Sequence, residues 1–267
     1  MERILLTGAT GSVATFLRPR LARPDRVVRL LDLRPPENVT AAEEVVLGSI
    51  TDPQLMSEAT RDVAAIVHLG GRSRESDARD VIEANIYGTY QVLEAARVAG
   101  ISRVVLASSN HAVGYQPRSG DLLAGESPVR PDSLYGWSKA AVEACGRLYA
   151  DQYAMDVLCL RIGSCFAEPF DLRSLAMWLS PDDCARLIEA CLAVPRPGFR
   201  IIWGISRNTR RWCSLAEGEA IGFHPKDDAE AYAPALIARF GEPDWTADPV
   251  LNRIGGVWCA APLGVPF

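Results

Sequence analysis

The sequence predicts an α/β protein, with a doubly wound parallel sheet followed by a small irregular C-terminal extension. Short apolar runs alternate with longer segments of helical periodicity, which is the pattern of parallel strands joined by crossover helices. The runs carry apolar residues on both faces, as strands buried between two helical layers do. A glycine-rich turn at residues 8–11 follows the first run and opens a helix. Such sheets bind their ligands at the carboxyl edge.

The elements follow one another in the order that this fold requires. The predicted strands are 3–7, 27–31, 45–47, 64–69, 103–107 and 157–161, and the predicted helices lie at about 12–22, 53–60, 80–99 and 133–154. The second helix has an acidic N-cap, Asp52, and a proline at its first position. The third helix ends before Gly100, a residue type favoured just after a helix.

Two poor helix formers, Asn85 and Gly88, interrupt the third predicted helix. A glycine inside a helix costs about 1 kcal/mol relative to alanine. Two explanations are open. Either the helix tolerates both residues, or close packing requires Gly88 and the active site requires Asn85.

The chain is expected to form one structural unit with two parts. Residues 1–165 form the predicted dinucleotide-binding core with the catalytic residues, and residues 166–267 form a small substrate-binding extension packed on it. Beyond about residue 166 the alternation weakens to one helix after Ser180 and one short strand at 201–203, and the rest is predicted to be irregular. The extension holds five of the six tryptophans.

Composition excludes several classes of protein. The chain has 267 residues, 48% hydrophobic and 23% charged, with a net charge of −5, as in ordinary soluble proteins. The arginines are scattered among carboxylates, which argues against a nucleic-acid partner. The first apolar run meets Gly8 too early for a signal peptide or a membrane span, so a cytoplasmic protein with no membrane partner is expected. The seven cysteines have no metal-binding spacing and are predicted to be reduced, with no metal site.

The glycine-rich turn predicts a dinucleotide site in a Rossmann fold. Gly8 and Gly11 allow the tight turn and the approach of a pyrophosphate to the helix N-terminus, and the small Ala14 allows the helix to pack on the strand. Asp32 ends the second strand, where a carboxylate accepts hydrogen bonds from the adenosine ribose. Because this carboxylate would repel a 2′-phosphate, NAD is expected rather than NADP. Arg34, close by, could soften that preference.

Tyr135 and Lys139 form the predicted catalytic pair. They are four residues apart, so on a helix the phenol and the ammonium share one face. The chain has 28 basic residues but only two lysines, Lys139 and Lys226. An ammonium is a compact charge that can lower the pKa of a neighbouring phenol and donate to a ribose hydroxyl.

These residues resemble the extended branch of the short-chain dehydrogenase/reductase superfamily. Within that branch, further stretches resemble uronate dehydrogenases, and the similarity spans nearly the whole chain. These stretches are 68–71 (His-Leu-Gly-Gly) with Ser73, 107–115, 130–139, 161–165 and Arg173. The resemblance implies an enzyme of carbohydrate metabolism that oxidises the cyclic form of a hexuronic acid, galacturonate or glucuronate, at C1 with NAD and releases the aldarolactone.

The resemblance also implies roles for individual residues. The implied catalytic residues are Tyr135, Lys139, Asn110 and Ser109. The implied cofactor-binding residues are Gly8, Gly11, Ser12, Val13, Asp32, Leu33, Ser49, Ile50, Leu69, Gly70, Gly71, Asn85, Ser108, Tyr135, Lys139, Ile162 and Cys165. The implied substrate-binding residues are Ser73, Ser109, Asn110, His111, Tyr135, Ser164 and Arg173.

In the implied chemistry, Tyr135 is the general base, with a pKa lowered toward neutrality by Lys139 and by the nicotinamide ring. Asn85 completes a proton path to Lys139 through its carbonyl or a water. Either Ser109 or Asn110 takes the place of the usual serine or threonine. Arg173 grips the substrate carboxylate through two parallel hydrogen bonds.

Some points stay open at the level of sequence. His111 is either a sugar contact or a structural residue, and His68, inside an apolar strand, is interpreted as structural. Ser12 stands where the family has a longer amide side chain, and Ser49 where many relatives have aspartate. Two other functions are kept: a nucleotide-sugar epimerase or dehydratase of the same superfamily, and a non-catalytic dinucleotide sensor. The sequence does not distinguish galacturonate from glucuronate, and it is compatible with a homo-oligomer.

Overall fold

A single parallel sheet organises the chain. The computed structural model describes residues 2–118 and 120–266. The strands described there are β1 (Glu2–Thr7), β2 (Arg26–Asp32), β3 (Glu43–Leu47), β4 (Ala65–His68), β5 (Arg103–Ser109), β6 (Asp156–Ile162), β7 (Ser164–Cys165), β8 (Trp178–Leu179) and β9 (Phe199–Gly204). Seven of them form the main sheet in the order β3-β2-β1-β4-β5-β6-β9, and β7 pairs with β8. The predicted doubly wound parallel sheet is confirmed.

Helices cover both faces of the sheet. They are α1 (Ser12–Leu21), α2 (Pro53–Ala59), α3 (Ala78–Val81), α4 (Gly88–Val98), α5 (Leu134–Tyr153), α6 (Ser174–Met177), α7 (Pro181–Ala193), α8 (Ala216–Glu219) and α9 (Ala233–Phe240). Alternate residues of β1 point to opposite layers, because successive side chains of a strand face opposite sides. Ile4 and Leu6 pack with residues of α1 and α7, whereas Leu5 packs with residues of α2, α4 and α5. Each layer therefore has its own apolar core.

The direction of winding reverses at β1. This strand pairs with β2 on one side and β4 on the other, and Thr7 lies level with Leu31 and His68 at the carboxyl edge. The chain then continues outward to β3 on one side and to β5, β6 and β9 on the other. A reversal of this kind opens a crevice between the loops that leave the two central strands.

The observed third helix differs from the predicted continuous one. It consists of α3, a π-helical turn over Ile82–Tyr87, and α4, so Asn85 lies in the wide turn. A β-carbon on Gly88 would lie 2.6 Å from Cδ1 of Ile50, so a larger residue would require the Ile50 side chain to shift. The observed packing at Gly88 is therefore close, in agreement with the second explanation for this residue. π-Helical turns are frequent at functional sites.

The segment after residue 165 is more regular than predicted. It supplies β9, which pairs with β6 in the main sheet, and α7, whose N-terminus is capped by Ser180. The prediction of irregular structure is wrong at α6, α8 and α9. All three are short, so they leave too few turns for a periodic apolar pattern. The functional division at residues 165 and 166 stays a prediction.

None of the helices in residues 2–118 and 120–266 combines the length and the apolar character needed to cross a membrane.

Candidate active site

A crevice of about 980 Å³ opens at the carboxyl edge of the sheet. The glycine-rich turn, the ends of β2, β4, β5 and β6, and the first turns of α5 line it. Every residue implied as cofactor-binding lines this crevice except Asn85. Of the residues implied as substrate-binding, Ser73, Ser109 and Tyr135 line it.

The glycine-rich turn has the geometry that a phosphate-binding turn needs. Gly8 has φ +69°, and a β-carbon there would lie 2.7 Å from the nitrogen of Gly70. The turn closes with a hydrogen bond from the Gly11 nitrogen to the Gly8 oxygen, at 3.0 Å, and α1 begins at Ser12. The N-terminal end of α1 therefore opens onto the crevice with free backbone N–H groups.

Asp32 is fixed beside this turn. Its carboxylate accepts from the backbone nitrogens of Thr10, at 2.9 Å, and Leu33, at 2.7 Å. A carboxylate has about four acceptor positions, so others remain for the hydroxyls of a ribose. This arrangement fits a dinucleotide that carries an unphosphorylated adenosine ribose.

Tyr135 and Lys139 lie on the first turns of α5, which Ser133 caps by accepting from the Gly136 nitrogen. The Lys139 ammonium lies 5.6 Å from the centre of the Tyr135 ring and donates to the Ala107 oxygen at 2.8 Å. Both side chains are buried at the floor of the crevice. The spacing of four residues therefore brings the phenol and the ammonium together, as helical geometry requires.

The effect of burial on this pair differs from the expectation. Burial raises the pKa of Tyr135 to about 12, although a hydrogen bond from Ser109 opposes the rise. Burial also lowers the pKa of Lys139 to about 8. For the protein groups alone, the pKa of the phenol is therefore raised and not lowered toward neutrality, because desolvation of the phenolate is the largest effect.

Ser109 and Asn110 have separate partners. The Ser109 side chain lines the crevice and interacts with the Tyr135 phenol, whose pKa it lowers. The buried Asn110 amide satisfies its partners when its nitrogen donates to the Ile162 oxygen, at 3.0 Å, and its oxygen accepts from Arg173, at 2.5 Å. Ser109 therefore lies against the phenol, and Asn110 lies against the guanidinium.

The Arg173 guanidinium donates three hydrogen bonds, and none of them goes to a carboxylate. Nε donates to the Ile254 oxygen at 2.8 Å, Nη1 donates to the Ser164 hydroxyl at 3.2 Å, and Nη2 donates to Asn110. In the described part of the chain it makes no ion pair, and burial lowers its pKa. Since a guanidinium has five N–H groups, one on each terminal nitrogen remains for a ligand. Two donors on one guanidinium can bind a carboxylate.

Asp132 and Trp258 fix the orientation of the His111 ring. Its Nδ1 lies 2.7 Å from the buried Asp132 carboxylate, which also accepts from Ser133. Its ring stacks on Trp258 at 4.0 Å and meets the Tyr135 ring edge-on at 5.8 Å. Burial lowers the pKa of His111 despite the carboxylate. Nδ1 therefore carries the proton and donates to Asp132, which leaves Nε2 as an acceptor.

Sequence reasoning missed Asp132 and Trp258. Asp132 is followed by the cap residue Ser133, and a β-carbon on either Gly114 or Gly255 would clash with its carboxylate. Trp258 lies in the 3₁₀ turn Gly256–Ala260 of the extension. No local motif marks either residue, because their contacts are made across long stretches of chain.

A buried hydrogen-bond chain through His68 joins the cofactor loop to the π-helical turn. The Thr89 hydroxyl donates to the Asn85 oxygen at 2.6 Å, so His68 Nε2 must be the donor to Thr89, at 3.1 Å. Nδ1 then accepts from the Thr7 hydroxyl, at 2.7 Å, which in turn accepts from the Gly70 nitrogen. All polar groups are satisfied, as a structural role for His68 requires.

Asn85 supports the loop beside the crevice. Its side chain accepts from the Arg72 nitrogen at 2.7 Å and donates to the Arg72 oxygen and to the Ser138 hydroxyl. Its carbonyl accepts from Thr89, and no hydrogen bond joins it to Lys139 in the described residues. Asn85 therefore lies behind the lining of the crevice.

The buried His68 should make the protein sensitive to acid. Burial and the Lys139 charge lower the pKa of His68 to about 3. Between the unfolded pKa of about 6.5 and that value only the unfolded chain takes up the proton, so the free energy of unfolding should fall by about 2 kcal/mol from about pH 7 to about pH 5. In His68→Gln this part of the slope should disappear in urea titrations at the two pH values. The exposed His224→Gln is the matched control, and an unchanged slope in His68→Gln would contradict the assignment.

Among the described residues no group of three or more histidine, cysteine, aspartate or glutamate side chains is placed to hold a metal ion.

Comparison with known proteins agrees with this geometry. The NAD dependent epimerase/dehydratase family matches residues 4–195 of the chain, so the chain belongs to that family. More particularly, it is 37% identical to uronate dehydrogenase of Agrobacterium fabrum over 98% of both chains. A crystal structure of a mutant uronate dehydrogenase from Agrobacterium tumefaciens complexed with NAD has a TM-score of 0.92, with 37% identity over 98% of each chain. The resemblance read from the motifs is confirmed.

A relative named for a different substrate is also similar. NAD-dependent glucose-6-phosphate dehydrogenase of Haloferax volcanii is 35% identical, over 86% of this chain and 95% of its own.

Proposed function

We propose that this protein is an NAD-dependent dehydrogenase that oxidises a hexuronic acid, galacturonate or glucuronate, at C1 to the aldarolactone. The observation that carries the proposal is the pairing of two features on adjacent residues. Ser109 interacts with the buried phenol of Tyr135, and Asn110 accepts a hydrogen bond from the Arg173 guanidinium, which has no carboxylate partner among the described residues. A base and an anion anchor thus flank one binding region. The uronate dehydrogenases described above share this chain's fold and length.

The residues of the crevice fit NAD. The turn at Gly8 and Gly11 and the N-terminus of α1 would hold its pyrophosphate, and Asp32 would hold the adenosine ribose. Leu33 and Ile50 line the same end of the crevice, and Ile162 and Cys165 line the end near Tyr135 and Lys139. When bound, NAD supplies a hydride acceptor and, in its oxidised form, a positive charge. Asp32 disfavours the 2′-phosphate of NADP.

The protein groups divide the proton chemistry. Tyr135 removes the proton from the C1 hydroxyl as the C1 hydrogen leaves as hydride, and Ser109 donates to the same oxygen until the lactone carbonyl has formed. Since burial alone raises the pKa of Tyr135 to about 12, the base form depends on the positive charge of the oxidised cofactor in addition to Lys139. Lys139, with a pKa of about 8, is suited to pass a proton outward near neutral pH.

The substrate groups would be bound by the residues on the far side of the phenol. Arg173 would bind the carboxylate through its two remaining N–H groups, and Ser164 and Asn110 orient it. His111 Nε2 would accept from a sugar hydroxyl, since Asp132 fixes Nδ1 as the donor. Ser73, on the opposite loop, lines the entrance. Arg173 thus distinguishes an acidic sugar from a neutral one.

A substrate panel tests the proposed function. With NAD, galacturonate and glucuronate should give NADH, detected by its near-ultraviolet absorbance, whereas glucose should not, because it offers Arg173 no anion. With NADP the rate should be lower because of Asp32. Glucose 6-phosphate is included because a phosphate would also suit a guanidinium, and because a relative is named for it.

The outcomes separate the candidate functions. If NAD is reduced with glucose 6-phosphate and with no other sugar, the substrate is a sugar phosphate and not a uronate. NAD binding without reduction by any sugar would favour the dinucleotide sensor. Conversion of a nucleotide sugar without net NADH would favour an epimerase or dehydratase.

The cellular setting is proposed as cytoplasmic. All seven cysteines lie in the described residues as free thiols, and five of them are buried. Free thiols are typical of a reducing compartment.

The proposed assembly is a homo-oligomer that forms through helix faces. Helices α4 and α5 expose large apolar side chains, among them Tyr90, Val98 and Leu148. Light scattering of the purified protein tests this.

A further inference from the structure

The carboxylate of Glu75 joins three segments that meet at the active site. It lies in the loop after β4, two residues beyond Ser73, and is only 2% exposed. Oε2 accepts from the Tyr135 nitrogen at 2.9 Å. Oε1 accepts from the Leu134 nitrogen at 3.1 Å and from the Gly264 nitrogen at 2.8 Å. A single buried side chain thus holds the first turn of α5 and the C-terminal segment, residues 254–264.

The C-terminal segment contributes to the substrate side of the site. Its Ile254 oxygen accepts from Arg173 Nε, and its Trp258 ring stacks on His111. The Tyr115 hydroxyl donates to the Cys259 oxygen at 3.0 Å. One hydrogen bond of the anion anchor Arg173 and the aromatic ring stacked on His111 therefore belong to the segment that Glu75 fastens at Gly264.

Glu75 has no basic partner. Among the described residues it makes no ion pair, and its two oxygens accept three backbone N–H groups. A buried carboxylate is costly unless it is hydrogen-bonded, and the N-terminus of a helix favours negative charge. The 20-residue α5 provides that end at Leu134 and Tyr135. The three hydrogen bonds that compensate the burial of this carboxylate therefore exist only while the loop, the helix and the C-terminal segment stay assembled.

We propose that Glu75 is a positioning residue for catalysis: it sets the Tyr135 hydroxyl against Ser109 and fastens the C-terminal segment beside Arg173 and His111. This role rests on the proposed function. Glu75 acts through backbone groups and does not contact the reacting atoms. A purely structural cap would stabilise the fold in the same way but would leave turnover by the folded enzyme unchanged.

Glu75→Gln tests the proposal in the full-length enzyme. The amide keeps the shape but replaces one acceptor oxygen by a donor, which would face a backbone N–H. We expect kcat for uronate to fall about 10²-fold, because small displacements of a catalytic group have effects of this size. The Kd for NAD, measured by titration, should stay within about twofold, since the glycine-rich turn is untouched.

A truncation separates the two contacts of Glu75. Removing residues 263–267 eliminates the Gly264 donor but leaves the bonds to Leu134 and Tyr135. We expect KM for uronate to rise several-fold while kcat changes less, because Arg173 and His111 lose support and Tyr135 does not.

Asp183→Asn is the matched control. Asp183 is also a buried carboxylate that accepts backbone N–H bonds from a distant segment, at Lys226 and Asp227, but it lies on α7 away from the crevice. The Asp183→Asn variant should have a lower Tm, as Glu75→Gln should, and an unchanged kcat.

The outcomes are distinct. If Glu75→Gln lowers Tm but keeps kcat within about twofold of wild type, Glu75 is only a structural cap and the proposal is overturned. If the wild type oxidises another sugar of the panel instead of uronate, the proposed function fails, and the kcat of Glu75→Gln on that sugar still decides the positioning role. If the wild type oxidises none, both proposals fall.

Discussion

Replacing Tyr135 with phenylalanine should lower kcat for uronate oxidation by about 10²–10⁴-fold, the contribution expected of a general base. The substitution removes only the hydroxyl and leaves the buried ring in place. Affinity for NAD should stay close to that of the wild type, because the turn at Gly8 and Asp32 lies at the other end of the crevice. Steady-state rates and NAD titration measure the two effects separately.

Tyr149→Phe is the matched control for this experiment. Tyr149 lies on the same helix, is also buried, and donates its hydroxyl to Glu94 at 2.9 Å. Its loss should cost about 1 kcal/mol of stability without lowering kcat. If Tyr135→Phe kept most of the wild-type kcat, another group would have to be the base.

Local chemistry is what the sequence predicted well. The turn at Gly8 and Gly11, the carboxylate at Asp32 and the pair Tyr135 and Lys139 each depend on spacing within one or two adjacent elements. Strand–turn–helix geometry then fixes their relative positions. The sheet itself followed from the alternation of apolar runs, because parallel strands buried on both faces need an unbroken apolar sequence.

Features that depend on distant contacts could not be predicted in this way. The π-helical turn around Asn85 is associated with packing of Gly88 on Ile50. The orientation of His111 depends on Asp132 and on Trp258 from the other end of the chain. Periodicity reports which residues are buried, but it does not report which buried residues meet.

The pKa of Tyr135 is a further property that the sequence alone could not predict. Sequence spacing places a cation near the phenol and so suggests a lowered pKa. The structure adds the desolvation of the phenolate, which is the larger effect and raises the pKa to about 12. Lys139 is buried as well, and its own pKa falls to about 8. A further positive charge, such as that of the oxidised cofactor, would favour the phenolate, so we expect base formation to be coupled to cofactor binding.

Arg173→Lys should lower kcat/KM for uronates by about 10²–10³-fold, because a buried charge pair with lost hydrogen bonds costs about 2–5 kcal/mol and each tenfold in rate is about 1.4 kcal/mol. Lysine keeps the charge but lacks the planar fork that bonds Ile254 and Ser164 while it presents two parallel donors. The loss should be much smaller for any residual rate with glucose, so the preference for acidic sugars should collapse.

Arg103→Lys controls for the loss of a partly buried guanidinium. Arg103 bonds the Cys191 and Val194 oxygens and pairs with Asp156 at the amino edge of the sheet, opposite the crevice. The Arg103→Lys variant should have a lower Tm and an unchanged ratio of the uronate rate to the glucose rate. If Arg173→Lys kept that ratio, the carboxylate would have to be bound elsewhere. His111 would then be the next residue to test, since Nε2 is its unassigned polar atom and the ring lies against Tyr135.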